Sequence, residues 1–164
     1  MSSTDGVFQS FSQFLSIMPG KFGVYARAAF YSLACTKTSS DICISFLTLL
    51  SHADTEIEQG VYIGPQGNIG KCRIGKNCLF GSGVHILSGK SQHDFSDINT
   101  PIQEQGGNFV KITIGEDSWV GNNAVVMANV GPKCVVAAGS VVTRDVEEFS
   151  IVAGNPATII KKRN

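Results

Sequence analysis

From about residue 43 the apolar residues return at every sixth position. Ile57, Ile63, Ile69, Ile74, Phe80 and Ile86 mark the first run, with a single step of five between Ile69 and Ile74. Glycine follows directly in Ile63-Gly64, Ile69-Gly70, Ile74-Gly75 and Phe80-Gly81. The period resumes at Ile114-Gly115, Val120-Gly121 and Val126, and again at Val136-Ala137 and Val142-Thr143. The step from Val126 to Val136 is ten, so one turn there must be shortened. A period of six is neither that of a helix nor the alternation of a sandwich strand. It fits one flat side of a triangular coil. A short strand aims one aliphatic side chain inward, and a small neighbour lets the backbone turn. Three sides close a coil of about 18 residues, which stacks on the next at the strand spacing of about 4.8 Å. The spacing therefore predicts an all-β fold, a parallel β-helix, and leaves its handedness open.

The first 40 residues differ. Phe8, Phe11, Phe14, Leu15 and Met18 recur at helical steps, and Pro19-Gly20 ends that helix. Phe22, Tyr25, Ala26, Ala29, Phe30 and Leu33 predict a second. This N-terminal arm (1–40) is expected to pack its apolar face on the main body. Within its two helical stretches only Lys21 and Arg27 bring positive charge, which argues against contact with a membrane surface. The β-helix is expected over 41–160 and a basic C-terminal tail over 161–164. The repeat breaks once, and an extended loop is expected over 88–111. Loops of that length inside a compact domain are usually functional or disordered, and this one's side chains favour function. This one carries His93, Phe95 and the amides of Asn99, Gln103, Gln105 and Asn108.

Charge excludes some classes of function. Thirteen basic residues balance thirteen acidic ones, which is unlike the basic excess of a nucleic-acid binder. No apolar run approaches the ~20 residues of a spanning helix. Met1 to Asp5 lack the basic start of a secretory signal. The five cysteines, Cys35, Cys43, Cys72, Cys78 and Cys134, form no C-x-x-C pair. They read as reduced, buried fillers, so a cytoplasmic location is expected.

Beyond the hexads, several motifs are specific. They are Gly83-Val84-His85-Ile86-Leu87-Ser88-Gly89 leading into Gln92-His93-Asp94-Phe95, Ile114-Gly115-Glu116-Asp117-Ser118-Trp119-Val120-Gly121, Ala138-Gly139-Ser140-Val141-Val142-Thr143-Arg144-Asp145, and Ala153-Gly154-Asn155-Pro156-Ala157. Over about residues 43–160 the chain resembles the hexapeptide-repeat acyltransferases of the left-handed β-helix class. It looks most like O-acetyltransferases of capsule, exopolysaccharide and lipopolysaccharide synthesis, relatives of the galactoside and maltose acetyltransferases. The resemblance implies a left-handed coil, a homotrimer with sites between subunits, acetyl-CoA as donor and a sugar or glycan hydroxyl as acceptor. An amino sugar or a xenobiotic alcohol is the alternative acceptor, and a non-catalytic scaffold the alternative role.

Acetyl transfer to an alcohol needs a base for the hydroxyl proton, and histidine is the natural one. The candidates are His52, His85 and His93. By its place in the loop the resemblance makes His93 the catalytic base, with Asp94, Asp97, Glu104 or a residue of another subunit to orient it. His85 falls inside a hexad and is expected to point outward. By position the resemblance also puts Trp119, Gly121, Ala138, Gly139, Thr143, Arg144 and Lys161 at the acetyl-CoA site. Cys72 and Cys78 read as packing rather than as an acyl carrier. The close His-x4-His pair of the γ-class carbonic anhydrases is absent, and no metal is expected.

Overall fold

The computed structural model describes residues 3–163, with side chains described from Gly6 onward. Met1 and Ser2 of the expected arm and Asn164 of the expected tail lie outside the described residues.

The hexads wind into a left-handed parallel β-helix with three faces. The first coil is β1 (Ile42–Ile44), β2 (Leu49–Leu50) and β3 (Glu56–Ile57), and the second is β4 (Val61–Ile63), β5 (Asn68–Ile69) and β6 (Cys72–Ile74). The third is β7 (Leu79–Phe80), β8 (His85–Ile86) and, after the loop, β9 (Ile112–Ile114). The fourth and fifth keep two strands each, β10 (Trp119–Val120) with β11 (Val125–Val126) and β12 (Val135–Val136) with β13 (Val141–Val142). In those two coils the third face narrows to single bridges, Ile114 to Val130 and Val130 to Val146.

The register explains the period. Ile44, Ile63, Phe80, Val120, Val136 and Val152 stack along the first face. Leu50, Ile69, Ile86, Val126 and Val142 stack along the second. Ile57, Ile74, Ile114, Val130 and Val146 stack along the third. All are buried. Each contributes roughly 1.5–3 kcal/mol of burial, and only because the coil above or below covers it. The ten-residue step of the sequence contains Val130, four residues after Val126. The same short step recurs from Val142 to Val146.

Both ends are closed. β14 (Ser150–Gly154) continues the first face, and β15 (Ala157–Lys162) folds back on it antiparallel. Lys161 and Lys162 thus belong to a strand, and Lys162 Nζ donates to Glu147, Glu148 O and Ser150 Oγ. At the other end sit α1 (Ser3–Ser16) and α2 (Gly20–Ala34). Their helical spans follow the periodicity, but only part of the expected face is buried: Phe8 is in the core and Phe30 packs against it. Phe11, Phe14, Phe22, Tyr25 and Leu33 are exposed, Leu33 by 89%. Ser12, Ser16, Gly23, Arg27 and Tyr31 face inward in their place. The reason is the open rim of the first coil, which presents unpaired backbone groups. Ser12 Oγ accepts from Leu50 N at 3.1 Å, and Arg27 Nε donates to Ile44 O at 2.8 Å. An apolar face could satisfy neither group. Among the described residues no helix is long and apolar enough to cross a membrane.

Candidate functional site

The loop leaves the coil after Ile86, at the edge between the second and third faces. Gly89 turns it out with φ +79°. Its two arms then pair: Val110 N donates to Ser88 O at 2.9 Å, Asn108 N to Ser91 O at 2.7 Å and Asp94 N to Gly106 O at 3.1 Å. Gly107 is required here, because a Cβ would collide with Gln92 O. His93 lies between the last two of these rungs. The tip is tied internally. The Asp97 carboxylate accepts from Thr100 Oγ1 at 2.7 Å and Asn99 N at 2.9 Å, bonds that pull its pKa below the usual carboxylate value. Gln105 accepts from Asp97 N and donates to Asp97 O and Thr100 O. Asp97 and Gln105 therefore hold the loop. Among the described residues no carboxylate bonds the His93 ring.

The stretch Ser88–Gln92 is a wall between two hollows on this edge. On the C-terminal side is a cleft of about 500 Å³ lined by Lys90, Ser91, Asn108, Asn129, Thr143 and Arg144, with Asp145 beside them. Lys90 and Arg144 form no ion pair among the described residues, whereas Asp145 accepts from Asn129 N at 2.9 Å. On the arm side is a hollow of about 330 Å³ that includes Gln9, His52, Asn68, Gln92 and Phe109. His93 is exposed beside Lys90 and Ser91. Its ring meets Phe109 edge-on at 6.4 Å, and His52 lies 5.9 Å from the same phenyl.

Of the expected site residues, Thr143 and Arg144 share the larger cleft, and His93 borders it through Lys90 and Ser91. Trp119 stands 51% exposed on the first face. Gly121, Ala138 and Gly139 sit at the edge between the first and second faces. There a Cβ on Gly121 would come within 2.5 Å of Ala138 N, and Gly139 has φ +68°. Lys161 is on β15. One chain does not bring this second group to the first. His85 points outward on the second face, as expected. Cys35, Cys72, Cys78 and Cys134 are buried, and Cys43 is half-buried on the outer side of β1. Burial pushes the Cys35 thiol up to about 12 and Cys78 to about 11, and raises Cys72 and Cys134 too. A thiol held that high is no nucleophile at neutral pH.

Several lining residues carried little signal. Lys90 is the one Lys or Arg between Ser88 and Val110, but a single loop lysine carries no mark of a site. Gln9 was not legible either, because only the docking of the arm brings it to Asn68 and Gln92.

The family model described as the hexapeptide repeat of succinyl-transferase matches residues 71–89 and 111–144. A probable macrolide acetyltransferase of Lysinibacillus sphaericus is 36% identical over 109 residues, 57% of this chain and 61% of the relative. A chloramphenicol acetyltransferase of Agrobacterium fabrum is 34% identical over 118 residues, 62% and 56% of the two chains. The matches thus span about three-fifths of the length of these curated relatives. Galactoside acetyltransferase, solved in complex with coenzyme A, shares the fold with a TM-score of 0.65 at 18% identity, over all of this chain and 84% of the other.

Proposed function

The chain is a hexapeptide-repeat protein with a left-handed β-helix, and from that premise we propose that it is an acetyl-CoA-dependent O-acetyltransferase. In this reading it moves an acetyl group from the thioester to a sugar hydroxyl. The observation that carries the proposal is the ordered loop, which holds His93 at the boundary of a cleft containing two unpaired cations. Lys90 and Arg144 suit the phosphates of coenzyme A, and Thr143 and Ala128 offer a small-residue wall for its pantetheine arm. His93 takes the hydroxyl proton as the oxygen attacks the thioester carbonyl. When the C–S bond breaks, the imidazolium returns that proton to the departing thiolate.

The remaining donor residues call for a second copy. Trp119 on the first face and Gly121, Ala138 and Gly139 at the edge beside it lie away from the loop, so a homotrimer that sets them against a neighbour's loop would complete the site. An apolar column on the first face supports such packing: Tyr62, Leu79 and Trp119 are 39%, 47% and 51% exposed. A second reading keeps the chemistry and changes the acceptor. The relatives named for macrolides and chloramphenicol favour a xenobiotic alcohol over an amino sugar.

The test pairs calorimetry of coenzyme A binding with thiol release from acetyl-CoA over a panel of sugar and antibiotic acceptors. Arg144→Ala should weaken coenzyme A binding. His93→Ala should retain it while kcat falls about 10²–10⁴-fold. No binding by the wild type would remove the enzymatic reading, and wild-type turnover in His93→Ala would remove the base.

A further inference from the structure

The hollow on the arm side of the loop has no part in the donor chemistry, and its lining differs in kind from that of the cleft below. Gln9, Ser51, His52, Asn68, Gln92 and Phe109 give it amides, a hydroxyl, an imidazole and one aromatic wall. No Lys, Arg, Asp or Glu lines it, whereas the cleft across the Ser88–Gln92 wall holds Lys90, Arg144 and Asp145. Phe109, which lines the hollow, has its ring 5.9 Å from that of His52 and 6.4 Å from that of His93. A group seated against Phe109 is therefore near the proposed base, which itself lies outside the hollow.

We infer that this hollow seats the acceptor, that it takes an uncharged polyhydroxylated ring, and that His52 is a specificity-determining residue. The inference rests on the acetyltransferase reading for the use of the site, but not for its chemistry. Amide, hydroxyl and imidazole groups donate and accept at once, which suits hydroxyls that do the same. The electron-rich face of Phe109 suits the C–H edges of a sugar ring. A phosphate, as in a nucleotide-linked sugar, would lose its hydration in the hollow and meet no cation. The volume, about 330 Å³, is at the small end of ligand pockets and suits one ring rather than an oligosaccharide. The lining is also held in place. Gln9 Nε2 donates to Ser51 O at 3.1 Å, and Gln92 Nε2 donates to Gly89 O at 3.2 Å. Two parts of the chain distant in sequence, the arm and the loop, are thus both tethered at the hollow. His52 itself makes no side-chain hydrogen bond among the described residues. Its backbone carbonyl accepts from Thr55 N, a bond that substitution of the ring leaves intact.

The test is an NMR titration of the full chain, following the His52 and Phe109 ring resonances. The probes are the methyl glycosides of galactose, glucose, mannose and N-acetylglucosamine, with uridine diphosphate and chloramphenicol alongside. At least one glycoside should shift both rings saturably, and uridine diphosphate should leave them unmoved. His52→Ala should raise the Kd of that glycoside about ten-fold, and His52→Gln, which keeps a donor and an acceptor, should raise it less. Calorimetry with coenzyme A should give one Kd for all three proteins. No saturable shift with any glycoside overturns the inference, as does an unchanged Kd in His52→Ala. Saturation of the hollow by uridine diphosphate or by chloramphenicol alone also overturns it. Coenzyme A separates the two claims. Glycoside binding without coenzyme A binding would end the acetyltransferase reading and leave the hollow a sugar site, and the reverse would end the inference alone.

Discussion

Arg27 donates hydrogen bonds to three carbonyls where the arm meets the coil. Nη1 reaches Leu15 O and Met18 O, past the end of α1, and Nε reaches Ile44 O on the rim of the coil. Leu15 O is in the last turn of α1, where a cation is favoured, and Met18 O lies just past it. The side chain is fully buried, and burial pulls its pKa below the usual arginine value, with Tyr31 and Cys43 nearby pulling it back. Gly23 makes the arrangement possible, since a Cβ there would collide with Met18 O and press on Arg27 Nη1. Nη2 has no partner among the described residues. Arg27→Ala should lower the unfolding free energy by about 3 kcal/mol or more, since bonds from a charged donor contribute about 1.5–3 kcal/mol each. Arg27→Lys should recover less than half, because one ammonium cannot span the helix end and the strand together. Urea unfolding checks both, and a loss under about 1 kcal/mol would show that the arm is attached by other means. No sequence pattern marked this arginine. A charged residue in an apolar helical stripe looks like a break in the stripe until the carbonyls it serves are in place.

At the scale of elements, the short corners of the lower coils have their own hydrogen-bonding device. Where the third face has no strand, Asn129 Oδ1 accepts from Thr113 N at 2.9 Å, and Asn129 Nδ2 donates to both Asp145 oxygens at 3.2 Å. A side-chain ladder thus runs beside the single backbone bridges of this face, and Asn129 and Asp145 also line the larger cleft. Asn129→Ala should cost about 1–2 kcal/mol in unfolding free energy, and it should raise the KM for acetyl-CoA more than it lowers kcat. A double-mutant cycle with Asp145→Ala should return a coupling of about 0.5 kcal/mol or more, and strict additivity would mean that the ladder is incidental. The sequence disclosed the shortened step but not this repair, because Asn and Asp at a corner also read as ordinary turn residues. The hexads were legible for the opposite reason. An inward Ile or Val beside a small residue has one use in a coil, and it recurs at Ile63, Ile69 and Ile74. The helical period of the arm gave its two helices but not their orientation, since a period groups Phe11, Phe14 and Phe22 without saying what they face. His93 was legible from its loop and motif. The tie of Gln105 to Asp97 and Thr100 was not, because an amide in a loop has no preferred partner before the loop closes.

Across the whole molecule the three faces differ in what they present outward. The third carries charges that pair with one another, Lys111 with Glu56, Lys71 with Asp54 and Arg73 with Glu58. Such a face is content in water. The first presents Tyr62, Leu79 and Trp119 in register on adjacent strands, with Val135 and Ile151 continuing the column. A carboxylate in that column would cost a single chain little, because outward substitutions away from specific features change stability by about 0.5 kcal/mol. It would cost an interface far more, since a charge buried there has no partner. Leu79→Glu should therefore leave the β-sheet circular dichroism and the thermal midpoint of the coil nearly unchanged. Sedimentation should shift from three times the 17.4 kDa chain mass to the mass of one chain. Turnover should vanish with the oligomer if Trp119, Gly121 and Ala138 complete a site whose His93 and Arg144 lie on a neighbour. A mixture of Leu79→Glu with wild type, assembled at low mutant fraction, should lose activity faster than the fraction of mutant chains, because each disrupted interface removes the contribution of two subunits. A monomeric variant that still turns over would instead confine the whole site to the loop edge of one chain, with the apolar column serving some contact unrelated to catalysis.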